Sequence, residues 1–135
     1  MGSNAKVIKK PIFKIHSGAI GLTDIRQWRT IFHVVFIETP TFTKSILKLL
    51  DDESYSALQL HLAGHPDSGD IIRGSGGIRK IRWAGCGRGK RGGLRIIYYW
   101  WTAKDRISML LVYPKNEQDD LSADQVKQLR KALEI

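Results

Sequence analysis

The chain has 135 residues, enough for one hydrophobic core without staples, and its 42% apolar content with four tryptophans excludes general disorder. A formal net charge of +9 points to a polyanionic partner, and the single cysteine, Cys86, excludes both an internal disulfide and a cysteine-built zinc site. No apolar run reaches the roughly 18 residues of a membrane span, and residues 1–30 lack the apolar core of a secretory leader, so a soluble protein of a reducing cytoplasm is expected.

Residues 1–32 stand apart as a basic extension. Lys6, Lys9, Lys10, Lys14, Arg26 and Arg29 face one acid, Asp24, and no helical or strand period persists; Met1-Gly2-Ser3 reads as a non-native start. The domain itself is expected over residues 33–135. Residues 33–37, His-Val-Val-Phe-Ile, predict a short buried strand. Thr39-Pro40 then offers a cap with proline at the first helical position, and Phe42, Ile46, Leu49 and Leu50 share one helical face. Asp51 to Ser54 restarts a second helix with Tyr55, Leu58 and Leu62 inward, and Gly64-His65-Pro66 stops it. Residues 67–77 are rich in Gly, Ser and Asp and lack a period. Strands follow at residues 78–84, 94–101 and 107–113, with connections too short for a crossover helix, so antiparallel pairing is expected. Ser122 with Gln125 three residues on has capping-box spacing and opens a last helix with Val126, Leu129 and Leu133 as its stripe. The order β-α-α-β-β-β-α defines an α+β domain: a small antiparallel sheet with helices on one face and the other face open.

The positive charge is concentrated. Between Arg73 and Lys115 there are eleven Lys or Arg and one acid, Asp105. Acids gather elsewhere, at Asp51, Asp52 and Glu53 and again at Glu117, Asp119 and Asp120. By strand alternation Lys80 and Arg82 point one way while Arg79, Ile81 and Trp83 point the other; Arg95, Ile97 and Tyr99 oppose Ile96, Tyr98 and Trp100. If Lys80, Arg82 and Arg95 lie on the same side of adjacent strands they converge, and alternation alone leaves that side open. Gly87-Arg88-Gly89-Lys90-Arg91-Gly92 formally satisfies a dinucleotide fingerprint, but the next segment is β-branched and aromatic, so no helix N-terminus waits for a pyrophosphate. It reads better as a cationic hairpin loop in which Arg88, Lys90 and Arg91 approach phosphates. In the aromatic run, Tyr98 and Trp100 read as core and Tyr99 as the stacking candidate. His16, His33, His61 and His65 do not pair up for acid–base work, no serine triad is evident, and no metal ligands cluster beside the basic strands; Asp119 and Asp120 read as solvated turn residues. Neither a metal nor another cofactor is expected.

Four motifs in order, Gly-Ile-Arg-Lys-Ile-Arg from Gly77, Gly-Lys-Arg-Gly-Gly-Leu-Arg-Ile-Ile-Tyr-Tyr from Gly89, Tyr-Pro-Lys-Asn-Glu from Tyr113 and Asp-Leu-Ser-Ala-Asp-Gln from Asp120, resemble the RelE/HigB-like toxins of bacterial type II toxin–antitoxin systems, nearest the HigB branch. The resemblance runs from about His33 to the C-terminus. It implies a microbial RNase fold, cytoplasmic cleavage of messenger RNA in the decoding site of the small ribosomal subunit, and neutralisation by a cognate antitoxin, usually a helix-turn-helix protein. Operator DNA would be reached only through that antitoxin. Carried over by motif, the implied catalytic set is Lys80, Arg82, Arg95 and Lys115, with Glu117 as a further proton carrier; Arg79, Arg88, Lys90, Arg91, Tyr99 and Tyr113 would contact RNA or the ribosome. Asn116 stands where some relatives carry an arginine, and no tyrosine lies near Ser122 where some relatives have one. The implied chemistry is metal-free: a substrate 2′-OH attacks the adjacent phosphorus, Arg95 and Arg82 hold the charged oxygens, and Lys80 acts as base with Lys115 or Glu117 handling the second proton. The alternative is a basic module that binds RNA, DNA or a ribosomal surface without cutting.

Overall fold

Residues 6–8, 34–84, 93–118 and 120–135 are described by the computed structural model. In chain order these form β1 (Lys6–Ile8), β2 (Val35–Glu38), α1 (Pro40–Leu49), α2 (Asp52–Gly64), β3 (Asp70–Ile71), β4 (Arg79–Trp83), β5 (Leu94–Trp101), β6 (Arg106–Pro114) and α3 (Ala123–Leu133). The α+β class is as expected. Local chemistry sets each helix start. Thr39 Oγ1 accepts the Phe42 N–H at 3.1 Å with Pro40 behind it, and Asp51 Oδ1 accepts the Ser54 N–H at 2.7 Å. Ser122 and Gln125 close a reciprocal box, at 3.1 Å and 2.9 Å.

The six strands lie in the order β1-β2-β6-β5-β4-β3. The β4–β5 and β5–β6 pairs are antiparallel, as their short connections require. The expectation of a wholly antiparallel sheet fails at β2, which runs parallel to β6. No hairpin ties β2 to its neighbour: the chain leaves it through α1 and α2 and re-enters the sheet at the far edge, so hairpin geometry never constrains its direction. Two strands lay outside the sequence reading. β3 has only two residues, and β1 arises inside the basic extension, where it pairs antiparallel with β2.

Helices cover both faces, correcting the expectation of one covered and one open face. Phe42, Ile46, Leu58 and Leu62 from α1 and α2 pack with Phe36, Leu94, Ile96, Tyr98, Ile107 and Met109. On the opposite face, Leu129 and Leu133 of α3, with Leu121, pack on Ile78, Ile97, Leu110 and Tyr113. The reason lies in β5, which is buried at five successive residues, Leu94 to Tyr98. A strand apolar on both parities must be covered on both sides, and each fully buried large side chain contributes roughly 1.5–3 kcal/mol.

One irregularity matters downstream. Ile97 pairs with Leu111 but Tyr98 pairs with Met109, so Leu110 is an extra residue in β6. A bulge of this kind re-aims the residues beyond it: Ile107, Met109 and Val112 face α1 and α2, whereas Leu110 and Tyr113 face α3. The bulge is anchored, because Thr39 Oγ1 donates to Leu110 O at 2.8 Å and the Thr39 N–H to Met109 O at 3.0 Å. Nearby, the buried Glu38 carboxylate accepts from Thr43 Oγ1 at 2.7 Å and from the Tyr55 hydroxyl, which satisfies a charge otherwise costly to bury. Burial first, and Glu38 second, push the Tyr55 hydroxyl far above its ordinary range, so it stays a donor.

Candidate functional site

β4, β5 and β6 lie side by side, and one row of the sheet crosses all three: Arg82 is paired with Arg95, and Arg95 with Tyr113. Directly opposed residues point to the same face, on strands about 4.8 Å apart. That face is the α3 side, shared with Ile97 and Tyr113. Lys80 lies two residues before Arg82, opposite Ile97, and therefore on the same face. The three cations that the alternation left open are thus brought together, and the bulge at Leu110 is what adds Tyr113 to them.

The electrostatics of this row are unfavourable on their own. Like charges directly opposite each other on a sheet repel, and Arg95 is only 4% exposed, so little water screens it. An anion compensates part of this. Lys80 Nζ donates to Asp120 Oδ1 at 2.5 Å, with the two side chains 26% and 76% exposed. That hydrogen bond first, then the charges of Lys80 and Arg95, hold the Asp120 carboxyl below its usual range. The turn carrying Asp120 is fixed to α3: Gln118 Nε2 donates to Asp120 O at 2.9 Å and to Oε1 of Gln125, the residue that closes the helix cap. Arg73, Lys80, Arg82, Ser68 and two acids, Asp120 and Asp70, line a cleft of about 620 Å³, within the size range of small-ligand sites, and Asp70 lies directly opposite Lys80 across the β3–β4 pair.

The other described residues singled out from the sequence lie apart from this row. Lys115 and Glu117 are exposed in the turn after β6; the Lys115 N–H donates to Gly93 O at 3.0 Å, which puts this turn at the Arg95 end of the sheet. Arg79 does not join the row. It has the opposite parity, and its Nη1 donates to Asp67 O and Gly69 O at 3.1 Å and 2.7 Å, a tie between β4 and the loop before β3. Arg88, Lys90 and Arg91 lie outside the described residues. Tyr99, half-buried, faces the α3 side and meets Trp101 edge-on, with centroids 4.7 Å apart. Tyr98 is core, as expected, with its hydroxyl accepting the Gly69 N–H at 2.9 Å and donating to Pro66 O at 2.7 Å. Burial first raises its ionisation range, so it remains a hydroxyl at neutral pH.

Three charged cleft residues, Asp70, Arg73 and Asp120, were not singled out from the sequence. Asp120 was read as a solvated turn acid, because the forty positions separating it from Lys80 hide the contact. Arg73 sat in a loop without a period, and its place in the cationic run was the only available signal. His61 lies 5.6 Å from the Trp83 ring, which belongs to the α1–α2 core. Burial and the neighbouring His65 lower its pKa, favouring the neutral ring. Among the described residues, no three His, Cys, Asp or Glu side chains gather as metal ligands would, and no helix is long and apolar enough to cross a membrane. No protein-family model matches the chain.

Proposed function

We propose that this protein is the toxin of a type II toxin–antitoxin system of the RelE/HigB kind: an endoribonuclease that cuts messenger RNA on the ribosome and is neutralised by a cognate helix-turn-helix antitoxin. The supporting observation is the Arg82–Arg95–Tyr113 row with Lys80 one step along it. A phosphodiester is the anion this row lacks. As the substrate 2′-OH attacks phosphorus, charge builds on the non-bridging oxygens; the bond to the departing 5′ oxygen breaks and a cyclic 2′,3′-phosphate remains. Arg95 and Arg82 hold the charged oxygens through charge-assisted hydrogen bonds. RNA alone carries the attacking hydroxyl, so DNA binds through its phosphates and is not cut.

Proton transfer needs a rearrangement. With Asp120 bound, Lys80 donates and has no lone pair to offer, so it serves as a base only once substrate displaces that carboxylate and the ammonium has given up a proton to solvent. Lys115 or Glu117, at the Arg95 end, then protonates the leaving oxygen. The same ion pair favours a second reading, a basic RNA-binding module without cleavage, since it occupies the Lys80 ammonium in the free protein.

Induction in bacterial cells with mapping of new 5′ ends on translated messages separates the two. Growth arrest with cuts in register with codons supports the nuclease; binding without cuts or arrest rejects it. Arg95→Ala should lower cleavage about 100- to 1000-fold, the scale of losing one transition-state donor. Circular dichroism monitors the fold, and Arg95→Lys keeps the charge while removing the planar fork. Undiminished cleavage by a folded Arg95→Ala protein would reject the assigned site.

A further inference from the structure

A second hollow opens at the other end of β5. It measures about 320 Å³ and is bounded by Ile71, Gly77, Arg79, Tyr99, Trp101 and Lys104. Its aromatic wall is held in place: Trp101 Nε1 donates to Ser108 Oγ at 2.9 Å, and Tyr99 braces the indole edge-on. Lys104 Nζ sits 5.4 Å from the centroid of the Trp101 ring, an exposed cation over a π face. Gly77, at φ 115°, supplies a stretch without a side chain, where a Cβ would come within 3.3 Å of the Tyr99 ring. Among the described residues lining this hollow there is no carboxylate. A neutral aromatic wall with Lys104 at its rim and no acid suits a flat ring that carries a phosphate.

The two hollows share one wall, at β3. Ile71 lines both, and at 59% exposed it is one of the large apolar side chains left open to solvent. Tyr99 follows Arg95 by four residues on the same strand face, a rise of about 13 Å, and because α3 covers Ile97 between them the route from one to the other skirts that helix along the β3 edge. That distance is on the order of four nucleotides at the ~3.4 Å rise of a stacked strand, and fewer when the strand is extended.

We infer that the Trp101–Tyr99–Lys104 hollow binds an unpaired base of the same RNA strand whose phosphodiester lies over Arg82 and Arg95, the backbone passing across Ile71. The inference rests on the RNA reading of the cationic row. Stacking on Trp101 holds the base whatever its identity, because every base presents a π face. Lys104 moves from the indole to the phosphate next to that base.

The test uses the full chain and an eight-nucleotide 2′-O-methyl RNA, which cannot be cleaved because its attacking hydroxyl is blocked. Trp101→Leu should weaken binding about tenfold, within the range measured for one stacked base, and Trp101→Phe should recover most of it. Lys104→Glu, at an exposed turn position, should also weaken binding and guards against a folding defect at Trp101. An abasic residue at one position of the RNA should reproduce the Trp101→Leu loss in the wild-type protein. If Arg82→Ala weakens binding while Trp101→Leu, Lys104→Glu and every abasic position leave it unchanged, the subsite is wrong and the RNA reading stands. Absence of wild-type binding even at low salt overturns both.

Discussion

Arg95 faces Arg82 across the sheet at 4% exposure, and its surroundings become favourable only when negative charge arrives. In the free protein the Asp120 carboxylate stands close to where a phosphate would sit, bonded to Lys80 and acted on by the Arg95 charge. On the proposed function it therefore competes with substrate. Asp120→Asn should tighten binding of a non-cleavable RNA by roughly two- to fivefold, the scale of an exposed ion pair, measured by fluorescence anisotropy. The pH dependence has a definite sign. A carboxyl held below its usual range keeps its charge above the ordinary aspartate value of about 3.9 and loses it only as pH falls through the depressed value. The ratio between variant and wild type should therefore stay flat from about pH 5 to pH 8, provided that no other group at the site titrates there. A weakened Asp120→Asn protein would instead give this carboxylate a positive role in catalysis or folding.

At the scale of elements, the loop before β3 hangs on the Tyr98 hydroxyl, which joins Pro66 O to the Gly69 N–H, and on Arg79, which holds the Gly69 carbonyl. Gly69 has no room for a side chain, since a Cβ would lie 2.9 Å from the Tyr98 ring and hydroxyl. Tyr98→Phe strands the buried Gly69 N–H and should cost about 1–3 kcal/mol, read from urea denaturation; a loss below about 0.5 kcal/mol would mean that the loop finds another partner. Which elements were legible in the sequence depends on the range of their determinants. Helix starts at Thr39, Asp51 and Ser122 are written within three residues, so the caps could be read directly. β3 could not: its place depends on Tyr98, twenty-nine positions from Gly69. The side taken by α3 was implicit in the two-sided apolarity of β5, a signal that strict alternation overlooks. The candidate site divides in the same way. Alternation proposed Lys80, Arg82 and Arg95 as a set, but their common face awaited the register, and Asp120 awaited the packing of α3.

For the molecule as a whole, acids at Asp51, Asp52 and Glu53 mark the start of α2, while the cationic row lies across the sheet from that helix. If the row binds RNA as proposed, the entering strand displaces counterions, and three phosphate contacts should give a salt slope of about −2 in a log–log plot. Arg82→Ala should shallow that slope by about 0.7, measured by anisotropy across a salt series; an unchanged slope would remove Arg82 from the contact set. The bulge in β6 has a consequence of a different kind. Because the single additional residue at Leu110 turns Tyr113 toward Arg95, the number of residues in that strand is itself information. A chain shortened by one position between Met109 and Val112 would lose a leucine from the α3-side core and also present Tyr113 to the wrong side of the molecule, so insertions and deletions there are more damaging than most substitutions.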